Sequence, residues 1–109
     1  MPTDQYQFLN DMRYDFEWDA KKAQSNIRKH KVSLDQATSI FRDPNLLSIP
    51  DESHSDSEER WVTMGLGDKG FLLVISHTFV SQRTDSARIR IISARKATKE
   101  EIKQYEEGI

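Results

Sequence analysis

The sequence contains no cysteine, and its 109 residues include only three prolines and four glycines. The lack of cysteine excludes disulfides, thiolate metal sites and a cysteine nucleophile, and it fits a reducing compartment. No apolar run approaches the roughly 18 residues that a membrane-spanning helix requires. The first residues include Asp4 and Asp11 and do not resemble a signal peptide. We therefore expect a small cytoplasmic protein without a membrane span.

Motifs for metals and cofactors are also lacking. The three histidines, His30, His54 and His77, are far apart and have no partner at metal-ligand spacing. There is no glycine-rich phosphate loop or dinucleotide fingerprint, and Ser76-His77 does not resemble a nucleophile elbow. We expect neither a metal nor a cofactor, which leaves phosphoryl chemistry on a bound nucleic acid as the candidate activity.

The net charge of −2 is distributed in blocks along the chain. Residues 20–31 contain five cations and no carboxylate, and residues 51–59 contain five carboxylates and no cation. Residues 83–99 contain six cations against Asp85 alone. Such blocks form local basic patches on an acidic whole, so the overall charge does not exclude RNA binding through a restricted surface.

Periodicity predicts one domain over residues 13–109, preceded by a flexible extension over residues 1–12. Aromatic and acidic side chains alternate over residues 14–18, which indicates a strand. Two N-terminal helices are expected, over residues 20–30 behind the cap Asp19 and over residues 34–41 behind the cap Ser33.

The second half changes to strand patterns. Strands are predicted over residues 46–50, 61–66 and 71–77, the last two joined by a turn at residues 67–70. A polar connection over residues 81–86 leads to an arginine-bearing strand, and Thr98 and Glu101 open a C-terminal helix as a capping box. This order predicts an α+β fold with a mostly antiparallel sheet of about four to five strands.

The stretch ARIRIISARKATKEE, residues 87–101, carries the strongest chemical signal. Arg88 and Arg90 alternate with isoleucines, so one face of this strand is expected to be charged. Arg95 and Lys96 follow at a helix N-terminus, where anions are favoured and arginine forks fit phosphate oxygens. A solvated outer face of a sheet carries arginine equally well, and this alternative stays open.

RNA cleavage without metal requires a base, an acid and cations that stabilise the charged phosphorane. We predict that Arg90 and Arg95 clamp the phosphate with help from Arg60, and that His54 or His77 exchanges protons. Each has a structural alternative: Arg60 neutralises neighbouring glutamates, His54 faces solvent, and His77 packs in the sheet. Tyr105 either packs on the sheet or reaches a cleft with its hydroxyl.

Three segments together resemble the BrnT family of bacterial toxins. They are FEWDAKKAQSNIRKHKVSLDQA from Phe16, DESHSDSEERWVTMG from Asp51 and RIRIISARKATKEEIKQYE from Arg88. The resemblance implies a RelE-like fold and a ribonuclease that arrests translation. It also implies neutralisation by a BrnA-type antitoxin, whose ribbon-helix-helix domain binds operator DNA.

The resemblance also identifies residues by position. The matching family positions in this sequence are Trp18, Asp19, Lys22, Asn26, Lys29, His30, His54, Ser55, Glu59, Arg60, Gly65, Arg90, Ser93, Ala94, Arg95 and Tyr105. We expect the substrate backbone to contact Lys22, Lys29, Arg88 and Lys96. Lys31 stands where the family commonly has glycine, the connection over residues 79–87 is longer than the expected tight turn, and residues 1–15 lie outside the match.

A second class of function remains open. The same basic surface suits a non-catalytic module that binds an acidic partner and acts with a DNA-binding antitoxin as an autoregulatory repressor. A toxin-like protein that has lost its activity is a third possibility.

Overall fold

The structure is a computed structural model that describes residues 13–54 and 59–108, so the expected extension over residues 1–12 lies outside it. The strands are β1 (Arg13–Glu17), β2 (Leu47–Pro50), β3 (Arg60–Leu66), β4 (Leu72–Thr78), β5 (Val80–Arg83) and β6 (Ser86–Lys96). The α-helices are α1 (Ala20–His30), α2 (Leu34–Ala37) and α3 (Lys99–Glu107). Two 3-10 helices span Thr38–Arg42 and Glu52–His54.

The strands form one mixed sheet in the order β1-β6-β4-β3-β2, with β5 paired to β6. β1 runs parallel to β6, and the other pairs are antiparallel. The α+β class is confirmed, but the expectation of four to five strands is wrong because the described residues form six. The polar connection expected over residues 81–86 contains β5, whose four residues are all exposed and therefore lack the alternation that marks a half-buried strand.

One face of the sheet, here called the inner face, packs against α1, α2 and the first 3-10 helix. Its core includes Ile40, Leu73, Ile75, Ile89 and Ile91, all almost fully buried. Phe41 places its ring against the rings of Tyr14, Phe16 and His77. Burying these apolar side chains is the main source of stability, at roughly 1.5–3 kcal/mol for each large one.

The opposite face, here called the outer face, follows from the alternation of side chains along each strand. It carries Arg60, Val62 and Met64 of β3, their cross-strand partners on β4, and Arg88 and Arg90 of β6. α3 crosses one end of this face, beside Leu47, Met64 and Val74. The other end is not covered by any described helix.

Helix ends follow the predicted caps. The Asp19 carboxylate accepts from the N–H groups of Lys21 and Lys22 at 2.8 and 3.1 Å, and Thr98 and Glu101 form a complete capping box. α1 ends at Lys31 in the left-handed conformation (φ 60°, ψ 30°). A side chain there is strained relative to glycine, as the departure from the family pattern implied.

Candidate nucleic-acid interface

Arg60 and Arg90 lie in one row across the outer face. Thr78 of β4 is the register partner of Arg60, and the backbone N–H of Arg90 donates to the Thr78 hydroxyl at 3.3 Å. Two strand spacings therefore separate the arginines, about 10 Å between Cα atoms. Both residues also interact with other groups of the protein. The guanidiniums are long enough to converge on one phosphate above Thr78.

The turn that carries His54 begins beside this row. The backbone N–H of Asp51 donates to the carbonyl oxygen of Arg60 at 2.7 Å, and the 3-10 helix Glu52–His54 follows at once. His54 therefore follows, by three residues along the chain, the residue whose backbone is hydrogen-bonded to Arg60. Its imidazole and residues 55–58 are outside the described part of the structure.

Arg95 shares the outer face but is held by α3. Its guanidinium donates to both carboxylate oxygens of Glu101, at 2.7 and 2.9 Å. This hydrogen bonding, with smaller contributions from the backbone N–H of Thr98 and the Arg95 charge, lowers the pKa of Glu101 to about 2. The same bond raises the pKa of Arg95. The structure thus places the expected clamp residue in an ion pair that attaches α3 to the sheet.

His77 is a core residue rather than a surface group. It is 1% exposed and lies on the inner face, with its ring edge-on to Phe41 at 5.0 Å. Nδ1 donates to the carbonyl oxygen of Thr78 at 2.8 Å, so Nε2 accepts from the Thr63 hydroxyl at 2.6 Å. Desolvation lowers the pKa of His77 and keeps it neutral. RNA cannot contact this ring while the core is closed, so we assign it the packing role.

Tyr105 connects α3 to the helical layer. Its hydroxyl donates to Asp43 Oδ2 at 2.6 Å, and the same oxygen accepts from the N–H of Leu66 at 2.7 Å. Desolvation alone would raise the pKa of Asp43, but these hydrogen bonds and one from Asn45 lower it overall. The bond to Asp43 raises the pKa of Tyr105. The Tyr105 hydroxyl is therefore occupied by a hydrogen bond to a carboxylate, and this gives the residue a structural role.

The four expected backbone contacts fall in different places. Arg88 lies on the outer face, opposite Asp15 of β1 and Val80 of β5. Lys96 lies at the far end of β6, with its ammonium 4.2 Å from the centroid of the Phe71 ring. Lys22 and Lys29 line a groove between α1 and β6. Arg88 and this lysine pair therefore flank Arg90, whereas Lys96 does not.

Asn26 was identified from the sequence only as a matching family position, and no role was predicted for it. It is 5% exposed, and its amide bonds both backbone groups of Ala94, donating to the carbonyl oxygen at 2.7 Å and accepting from the N–H at 3.0 Å. It also donates to the Val32 carbonyl oxygen at 2.8 Å. The Asn26 side-chain amide thus pairs with the edge of β6 as the backbone of a neighbouring strand would. The sequence signal that could have indicated this role is an amide side chain on the face that the helix buries.

Neither a metal-binding cluster nor a membrane-spanning helix is found within residues 13–54 and 59–108. No three histidine or acidic side chains of these residues form a group that could hold a metal ion. None of the described helices is long and apolar enough to cross a membrane.

The fold is similar to that of a ribonuclease toxin. The crystal structure of the Brucella abortus ribonuclease toxin BrnT matches 81% of this chain and 100% of that chain, with a TM-score of 0.55 and 17% sequence identity. At this identity the likeness concerns the fold. The chain therefore belongs to the class of small α+β proteins that share the fold of this toxin.

The family follows from the sequence match. Residues 18–101 match the family described as "Ribonuclease toxin, BrnT, of type II toxin-antitoxin system". This chain belongs to the BrnT family, and the resemblance noted in its sequence is confirmed. A search of curated proteins found no significant match.

Proposed function

We propose that this chain is a cytoplasmic endoribonuclease toxin that cleaves RNA without a metal and so inhibits translation. The observation that carries the proposal is the row on the outer face, where Arg60 and Arg90 flank Thr78. The partner we propose is a BrnA-like antitoxin with a ribbon-helix-helix domain, through which alone the complex reaches operator DNA. The RelE-like relationship of the fold belongs to this proposal.

The chemistry assigned to this row is attack by the ribose 2′-oxygen on the adjacent phosphorus. The new P–O2′ bond forms as the P–O5′ bond breaks, which leaves a 2′,3′-cyclic phosphate and a 5′-hydroxyl. Arg60 and Arg90 stabilise the charge that develops on the phosphorane oxygens. His54 either takes the proton of the 2′-hydroxyl or gives a proton to the departing 5′-oxygen, and water completes the other transfer. Arg95, His77 and Tyr105 support the fold around the site.

The test uses the purified chain and a single-stranded RNA, with and without EDTA. We expect cleavage in both samples and 5′-hydroxyl ends on the products. Replacing Arg60 and Arg90 with alanine should lower the rate by about 10²-fold or more. The control is Arg42→Ala, because Arg42 is an exposed arginine in the 3-10 helix on the other side of the sheet. Equal activity of the double variant would reject the assignment, and EDTA-sensitive cleavage would reject metal independence.

A non-catalytic module is the second candidate. It is favoured by an apolar cavity of about 130 Å³ on the outer face, where Ile49, Val62 and Val74 meet Glu101 and Gln104 of α3. An apolar side chain of a partner fits such a cavity next to arginines. A folded chain that binds RNA or an antitoxin but never cleaves RNA would favour this candidate.

A further inference from the structure

The edge of β6 is open where β1 ends. The last register pair between the two strands joins Glu17 to Arg90. Beyond it, α1 takes the place of β1, and the Asn26 amide bonds the backbone of Ala94. Between these two attachments lies a groove of about 190 Å³, whose strand side is formed by Ile92 and Ser93. Along β6, the pairing with β1 limits the groove at one end and the Asn26 hydrogen bonds limit it at the other.

The helix side of the groove is basic. Lys22, Ser25 and Lys29 line it, at helical spacings of three and four residues. None of the described residues that line the groove is acidic, and α1 itself contains no carboxylate. Two ammonium groups with hydroxyls from Ser25 and Ser93 form a set of donors suited to phosphate oxygens.

The groove continues the arginine row. Ser93 is three residues beyond Arg90 on β6, about 10 Å along the strand. Ser93 is paired with Ser76, the residue two before Thr78 on the outer face. A chain of phosphates that crosses the outer face at Arg90 can therefore pass over the edge of β6 into the groove.

We propose that this groove is a second phosphate subsite, which holds the backbone of single-stranded RNA one or two nucleotides away from the phosphate at Arg60 and Arg90. The inference rests on the proposed function for the first phosphate. RNA is favoured over an acidic peptide because the family is named for a ribonuclease and because, among the described lining residues, only Ile92 has an apolar side chain. The subsite raises affinity and fixes the direction of the strand.

The helix supplies a matched control for the test. Lys22 and Lys29 project within about 60° of Asn26 around the axis of α1, whereas Lys21 and Arg28 project about 140–160° away from it. Both pairs are exposed and seven residues apart. The variants K22A/K29A and K21A/R28A thus remove the same charge from the same helix, on the groove side and on the opposite side.

The experiment measures binding of a fluorescein-labelled, 2′-O-methylated 12-nucleotide RNA, which cannot be cleaved, by anisotropy across a salt series. We expect K22A/K29A to weaken binding about tenfold near 0.1 M salt and to reduce the slope of log K against log salt by about 0.7–1.4. K21A/R28A should lose less than about twofold. Thermal unfolding of both variants checks that they fold.

The outcomes separate the two proposals. Equal losses in K22A/K29A and K21A/R28A, or no loss in either, would overturn the subsite. Loss of binding to poly-glutamate with unchanged RNA binding in K22A/K29A would overturn it in favour of a protein partner. A normal affinity of R60A/R90A together with a weakened K22A/K29A would support the groove and count against the arginine row.

Discussion

Arg95 and Glu101 are joined by two parallel hydrogen bonds, and Glu101 Oε1 also accepts from the backbone N–H of Thr98. One carboxylate therefore caps α3 and attaches it to the sheet. Glu101→Ala should destabilise the fold by about 1–2 kcal/mol, because it removes a cap and a partly buried ion pair. Urea unfolding measures this change. Glu100→Ala, in the same turn but exposed, should stay within about 0.5 kcal/mol.

The ion pair also has a pH signature. Because the pKa of Glu101 falls from 4.5 to about 2 on folding, its contribution is complete above pH 4.5 and is lost as the pH falls toward 2. The stability difference between the unmodified chain and Glu101→Gln should therefore shrink between pH 5 and pH 3. A constant difference over that range would contradict the assignment.

The Asn26 amide offers a second stability test. Asn26→Ala leaves the Ala94 N–H and the carbonyl oxygens of Ala94 and Val32 without this partner, so we expect a loss of about 2–4 kcal/mol. Chemical denaturation measures the loss, and hydrogen exchange should report faster exchange of the Ala94 amide. The control Gln24→Ala changes an exposed amide of the same helix and should have little effect.

Lys31 predicts a stabilising substitution. Its left-handed backbone is costly for a side chain, and glycine adopts it without this cost. Lys31→Gly should raise the free energy of unfolding by about 0.5–1 kcal/mol in a thermal or urea melt. Lys29→Gly, at a regular position of α1, should lower it by a similar amount. Destabilisation by Lys31→Gly would show that the lysine side chain itself contributes there.

His77 predicts a weakening of the fold in mild acid. Its pKa is lowered by desolvation, so the unfolded chain takes up a proton first as the pH falls below about 6.5. Stability should then decline by at most about 1.4 kcal/mol per pH unit until the folded-state pKa is reached. His77→Gln should remove this part of the decline, and an unchanged decline in this variant would contradict the assignment.

Local signals in the sequence were sufficient for much of the fold. Asp19 and Thr98 started helices as expected because a cap depends only on residues within one turn. The turn at residues 67–70 formed as predicted, with Gly70 at positive φ. β5 was missed because its side chains are all exposed, and the parallel pairing of β1 with β6 joins residues some seventy positions apart, which no local pattern encodes.

The candidate site was predictable in part for the same reason. Alternation placed Arg88 and Arg90 on a charged face, and the register later brought Arg60 into the same row. The role of Arg95 was not predictable, because its partner Glu101 already satisfied a local motif as the second residue of the capping box. Burial of His77 depended on Phe41 and Thr63, which only the tertiary packing brings next to it.

The position of β6 after the other five described strands has a consequence for synthesis. This strand pairs with β1, β4 and β5 and carries Arg90 and the groove-lining Ser93, so the earlier segments have no central strand until it has been made. Such long-range pairing delays folding of the sheet until residues 86–96 have been made. A nascent chain that has not yet added β6 therefore lacks Arg90, and the proposed arginine row forms only once that strand has paired with β4.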